Sequence, residues 1–307
     1  MRMLVVGAGS TGGYFGARLA AAGRDVTFLV RPARAAQLAQ DGLQVRSQAG
    51  DLALQPRLVT ADRIDGPYDA VLLTVKAYAL DAALRDVAPA VGPDTVVLPV
   101  LNGMRQVEAI TTRFGAQALG GCVCKVAAEL DPQGRIIHLA PFHDLAYGEM
   151  SGEESPRMQA LDAFMQGAGF TARLSPAIQR EMWEKWVLLA SLGAITSLMR
   201  GNIGEVQAAP GGEAFANALL DEVVGIVRAV GTAPSESFLA TARAQLTAKD
   251  SKQTSSMYRD LLKGAPIEAE QIVGDLLARG RQAGVPAPLL GAAFTHLSVY
   301  QNRLAQP

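Results

Sequence analysis

The stretch MLVVGAGSTGGYFGARLAAAGRDVTFLVR, residues 3–31, decides the fold. An apolar, β-branched run leads into Gly7-Ala8-Gly9-Ser10-Thr11-Gly12, then a segment of helical periodicity, then a second apolar run, DVTFLV. A GxGxxG pattern alone says little in a chain with 31 glycines. Between a strand and a helix it has a mechanism. Its glycines permit a tight turn and let backbone N–H groups approach a pyrophosphate at the positive end of the helix. The stretch predicts a βαβ unit that binds a dinucleotide, with Gly7, Gly9, Ser10, Thr11 and Gly12 as its phosphate cradle.

The end of the second strand selects the cofactor. An NAD site carries an acid there for the ribose 2′-hydroxyl, about 20 residues after the loop. Asp25 is near that count but stands at the start of DVTFLV, the far end from the loop. The strand instead runs into Arg31, with Arg34 just beyond. A guanidinium donates parallel, charge-assisted bonds to a phosphate, so Arg31 favours NADP(H). Lys76 ends the strand DAVLLTVK on the same crest, where it suits that phosphate or the ribose; an ordinary strand-end lysine is the other reading.

Outward from this unit, short apolar strands alternate with helical segments through DAVLLTV and TVVLPV, the pattern of a parallel sheet covered on both faces. LQVRSQAGDLALQPRLV reads as a small antiparallel excursion around Ala49-Gly50-Asp51, at an edge. CVCKVAAEL, GRIIHLA and DLAYGEM are further strand candidates, followed by a helix over residues 155–167 and the strand FTARL. After Ser175-Pro176 the chain turns to long helices broken at Gly- and Pro-containing stretches. The boundary is expected near Leu174, giving domains of residues 1–174 and 175–307.

Length supports two domains with an interdomain cleft. A net charge of −1 and the absence of a long basic cluster argue against nucleic acid or an anionic membrane as the main partner. A small molecule fits better. The greasiest segment, residues 186–199, falls short of the roughly 20 residues that span a bilayer. The amino terminus enters the first strand directly, so a cytoplasmic protein is expected. Cys122 and Cys124 read as small core residues, and the three histidines form no recognisable ligand set, so no metal site is expected.

Within EMWEKWVLLASLGAITSLM, residues 181–199, Lys185 stands at the mouth of an otherwise apolar run. A helix apolar on both faces is buried. Lys185 either pairs with Glu181 one turn earlier, a contact stabilising by roughly 0.2–0.5 kcal/mol, or serves chemistry.

These pieces, GAGSTG, Arg31, TVKAY with Lys76, LNGM with Asn102, WEKW with Lys185 and SSMYRDLLKGAPIE, resemble the ketopantoate reductase (2-dehydropantoate 2-reductase) family from the first strand to the last helix. The resemblance implies an α/β fold, an amino-terminal Rossmann-type doubly wound sheet followed by an all-α carboxy-terminal domain, with NADP(H) on the first. It implies reduction of 2-dehydropantoate to pantoate, for pantothenate and coenzyme A synthesis. Lys185 looks like the proton donor to the carbonyl oxygen, which gains negative charge as hydride arrives. Glu268 matches the family's substrate-contacting glutamate, Ser256 its substrate-binding serine, Asn102 a residue near nicotinamide and substrate, and Glu222 a further acid of the cleft. Taken without the family, Glu268 is a helix-start acid and Ser256 an ordinary helix residue.

Three positions depart from the pattern, one of them Gln253, which stands three before Ser256 where the family often has asparagine. Leu189 and Gly193, four and eight residues after Lys185, stand where the family carries substrate-facing asparagines, which predicts a more apolar and wider pocket. A paralogue acting on a more apolar 2-oxo acid therefore stays open beside ketopantoate. A β-hydroxyacid dehydrogenase and a non-catalytic NADPH sensor are weaker alternatives. The apolar second half allows a homodimer but does not require one.

Overall fold

In the computed structural model, which describes residues 1–304, contacts divide the chain into two units. The first comprises Met1–Leu101 and Gln106–Gln179, and the second Asn102–Arg105 and the chain from Arg180 onward. The expected boundary at Leu174 coincides with the end of the last strand, and the first unit continues five residues further.

The first unit runs β1 (Arg2–Val6), α1 (Ser10–Ala21), β2 (Asp25–Leu29), α2 (Pro32–Asp41), β3 (Leu43–Arg46), β4 (Leu52–Leu54), β5 (Arg57–Val59), β6 (Ala70–Leu73), α3 (Leu80–Asp86), β7 (Val96–Pro99), α4 (Arg105–Phe114), β8 (Gly120–Leu130), β9 (Ile136–Glu149), α5 (Pro156–Met165) and β10 (Thr171–Leu174). Five parallel strands form one sheet in the order β5-β2-β1-β6-β7. The order reverses beside β1, so a crevice opens between the carboxyl ends of β1 and β6, where such sheets bind ligands.

The other strands build a second sheet, β10-β9-β3-β4, with β8 antiparallel to β9. GRIIHLA and DLAYGEM, separate in the sequence reading, are one 14-residue strand, β9, because Pro141 and its neighbours stay extended against β8 past a register shift at Val126/Ala128. The excursion after α2 divides as follows: β3 and β4 pair antiparallel at the edge of the second sheet, while β5 joins the first. One core joins the inner faces of both sheets through α1, with Tyr14, Phe15 and Leu19 packed among Phe28, Val45, Ile136 and Tyr147. Cys122 and Cys124 lie in this core and form no disulfide among the described residues.

The glycine loop is shaped by close approach. Gly7 has φ +98°, which favours glycine. A methyl group on Gly12 would overlap the Thr74 hydroxyl and the Gly7 carbonyl, and Thr74 itself donates to the Val6 and Gly7 carbonyls at 2.8 and 3.1 Å. A methyl group on Gly9 would meet nothing within 4 Å.

Two histidines scattered in the sequence converge beneath α1. The Tyr14 hydroxyl lies 2.6 Å from His143 Nδ1 and 3.4 Å from His138 Nδ1, which is 2.8 Å from the Ser47 hydroxyl. The Arg18 guanidinium covers the Tyr14 ring. Burial, then the neighbouring His138 and Arg18, push His143 below its ordinary value against the opposing pull of Asp144.

The second unit is helical: α6 (Ile178–Met199), α7 (Ile203–Ala208), α8 (Gly212–Val230), α9 (Glu236–Leu246), α10 (Ser256–Leu262), α11 (Asp275–Gln282) and α12 (Pro288–Leu304). A π-helical turn, Glu270–Gly274, leads into α11. α6 is long because apolar side chains bury on all sides of it. It stops where Arg200 takes φ 57° and Asn202 with Glu205 forms a capping box for α7.

Two stability predictions follow from the first unit. At Gly12 the overpacking cost of about 1–3 kcal/mol outweighs the roughly 1 kcal/mol that alanine gains within a helix, so Gly12→Ala should lower the urea midpoint while Gly9→Ala shifts it little. At His143 the fold favours the neutral ring. That stabilisation is complete above the free-imidazole value of about 6.5 and is lost as pH falls through the lower folded value. Unfolding free energy measured from pH 7.5 down to 5 should therefore decline less in His143→Gln than in the wild type.

Candidate active site

The first unit presents a cradle for an anion. α1 has no acidic residue in its first turn and no side chain bonded to its N-terminal N–H groups, so those donors and the positive helix end stay available. Gly9 leaves open space beside them, and Ser10 and Thr11 are half-buried at the helix start. The residues fit the pyrophosphate of a dinucleotide.

The two arginines after β2 are separated by the structure. Arg34 turns back, its guanidinium donating to the Ala8 and Gly134 carbonyls, both at 3.1 Å, and to Gln37 Oε1 at 2.6 Å. Burial lowers its pKa against the pull of Asp41. It braces the glycine loop. Arg31 caps α2 from an exposed position and makes no side-chain bond to any described residue. Asp25 pairs with Arg57 at 2.8 Å, at the amino end of the parallel sheet. Lys76 is exposed just past β6.

Asn102 follows β7 and groups by its contacts with the second unit, where its carbonyl accepts from Gln271 Nε2 at 3.3 Å. Gly103 beside it has φ +83°, and a methyl group there would come within 2.8 Å of the Gln271 carbonyl.

In the second unit, helical spacing puts Lys185, Leu189, Gly193 and Thr196 on one stripe of α6. Lys185 and Leu189 are half-buried, while Gly193 and Thr196 are buried. Lys185 makes no hydrogen bond or ion pair with any described residue, so the expected alternative pairing with Glu181 is not formed. One residue on, Trp186 is 1% exposed and its indole N–H donates to the Ile272 carbonyl at 2.8 Å. That bond ties the turn carrying Lys185 to the π-helical turn that begins two residues after the half-buried Glu268. π-Turns recur at functional sites.

The paired serines divide their work. Ser255 is buried, caps α10 by accepting from the Tyr258 N–H at 2.9 Å, and lies 3.0 Å from the Thr196 hydroxyl. Ser256 is exposed in the first turn, the one of the pair open to a ligand.

Two expectations are corrected. Glu222 is not a site acid: its carboxylate oxygens accept from the Leu289 and Leu290 N–H groups at 3.0 and 2.9 Å, capping α12. Nor does Gly193 widen the pocket, because a β-carbon there would lie 2.7 Å from the Met257 methyl group, which already fills the space. Glu184 likewise is spent on a cap, accepting from the Ser235 N–H and hydroxyl at the start of α9. Sequence reasoning missed Trp186, Ser255 and Met257, and it set Arg34 beside Arg31 at the strand end where the structure turns it back onto the loop. Only Ser255 carried a local signal, a serine immediately before a helical run.

Among the described residues no group of three or more histidine, cysteine, aspartate or glutamate side chains could hold a metal ion, and no helix is long and apolar enough to cross a membrane.

Comparison with known proteins adds the chemistry. Residues 3–152 match the family described as ketopantoate reductase PanE/ApbA, and residues 177–301 its C-terminal part. The chain is 33% identical over 301 residues to an uncharacterized oxidoreductase of Bacillus subtilis, YkpB, covering 98% of this chain and 99% of that one. It is 30% identical over 317 residues to the 2-dehydropantoate 2-reductase of Mesorhizobium japonicum, covering 96% of each. Among solved structures, the 2-dehydropantoate 2-reductase of Geobacter metallireducens superposes with a TM-score of 0.86 at 28% identity, over 97% of this chain and 99% of that one. A D-mandelate dehydrogenase solved with NADH and anilino(oxo)acetate shares the fold, with a TM-score of 0.85 at 19% identity over the whole of both chains. The chain belongs to the ketopantoate reductase family, and is a nicotinamide-dependent oxidoreductase of the 2-dehydropantoate 2-reductase type.

Proposed function

We propose that the protein reduces a 2-oxo acid to the 2-hydroxy acid with NADPH, and that 2-dehydropantoate is the first substrate to test because the relatives from Mesorhizobium japonicum and Geobacter metallireducens are named for it. The observation that carries the reading is Lys185, a half-buried ammonium on an apolar helix with no partner among the described residues. Bound nicotinamide supplies the hydride. As the carbonyl oxygen gains charge, Lys185 stabilises it and delivers a proton from Nζ, leaving the hydroxyl of the product. Glu268 and Ser256 serve as substrate contacts. Leu189 lines the path one turn beyond the ammonium.

For the cofactor, Gly7, Gly9, Ser10, Thr11 and Gly12 would hold the pyrophosphate and Asn102 would serve the nicotinamide end. Arg31 takes the 2′-phosphate, with Lys76 at the same phosphate or the ribose. NADPH rather than NADH is favoured because Asp25, the nearest acid by count, is held by Arg57 at the opposite end of β2.

Oxidation of NADPH with 2-dehydropantoate and a panel of linear, branched and aromatic 2-oxo acids tests the activity, which absence of turnover with every acid would overturn. Lys185→Ala should lower kcat by about 10²-fold or more while leaving NADPH affinity nearly unchanged. An unaltered kcat would remove Lys185 from the chemistry. Arg31→Ala should weaken NADPH and spare NADH. Equal losses for both cofactors would take the 2′-phosphate away from Arg31.

A further inference from the structure

We propose that Met257 sets the depth of the acyl pocket along α6 and is a specificity-determining residue for the length of the 2-oxo acid; this rests on the reductase reading above. The stripe that carries Lys185 continues through Leu189, Gly193 and Thr196. Only its first two members are open, both half-buried. At the third, the missing side chain leaves a space that Met257 occupies: its methyl group lies 2.7 Å from where a Gly193 β-carbon would stand, and it is 2% exposed. At the fourth, the Thr196 hydroxyl meets Ser255 at 3.0 Å, which fixes the start of α10 and brings Met257 down over Gly193.

A substituent extending from a carbonyl at Lys185 along this stripe therefore passes Leu189 and ends against Met257. The stop is one unbranched, deformable side chain and not backbone. Behind it the helix surface is bare glycine. Shortening Met257 opens a further turn of apolar space, and filling Gly193 pushes the methionine outward.

The test is kcat/KM for 2-oxooctanoate divided by that for 2-oxobutanoate, with NADPH, in the wild type, Met257→Ala, Met257→Leu and Gly193→Ala. The ratio should rise at least about tenfold in Met257→Ala, the order of discrimination that a methylene's worth of room supplies. It should stay near the wild-type value in Met257→Leu, which conserves volume, and fall in Gly193→Ala. A ratio unchanged in Met257→Ala, in protein that melts cooperatively and still binds NADPH, would overturn the proposal. If Met257→Ala does not fold, Gly193→Ala decides alone, and an unchanged or rising ratio there overturns it. Failure of the wild type to oxidise NADPH or NADH with either acid would be a different result, sinking the reductase reading and this inference with it.

Discussion

The backbone contact at Gly12 is the constraint on which the first unit rests. Helix α1 can begin directly beside the end of β1 only because no β-carbon separates it from the Gly7 carbonyl and Thr74. That approach seats α1 in the core between the two sheets, with Tyr14 and Phe15 buried. It also aims the free N–H groups at the crevice between β1 and β6, so one packing requirement serves both fold and cofactor. Arg34 holds the loop from the other side through the Ala8 carbonyl. Of two arginines three residues apart, one is thereby used to build the cradle and the other is left on its rim.

In the second unit, satisfying the backbone decides which acids remain for chemistry. Helix starts leave N–H groups that need acceptors. Glu222 supplies them for α12, and Ser235, itself held by Glu184, for α9. Trp186 answers a related need, giving its indole N–H to a carbonyl in the π-helical turn. A buried donor and acceptor left without each other would each cost about 1–3 kcal/mol, so the bond fixes α6 against the segment that follows Glu268. The lysine next door thus sits on a helix whose rotation is set by a buried hydrogen bond.

Much of this was legible in the chain. The GxGxxG loop, its strand and helix, and the displaced Asp25 with Arg31 at the strand end all depend on spacing within about thirty residues, where period and turn chemistry speak directly. Lys185 was conspicuous for the same reason, the last charge before an apolar run of helix. Pairings across long separations left no such mark. β9 gathering β3, β8 and β10, or His138 meeting His143 under Tyr14, depends on which strands become neighbours.

The errors share that cause. Glu222 and Gly193 were read by position in a pattern, yet the environment of each is made by residues far along the chain, Leu289 and Leu290 for one and Met257 for the other. By itself, then, the sequence determined the doubly wound class, the dinucleotide loop and the residue types available for hydride reduction, because local periodicity and turn geometry encode them. Tertiary structure alone decided which arginine is free, which acids are capped away and which side chain covers Gly193. Those outcomes follow from competition among distant groups for the same space and the same hydrogen bonds.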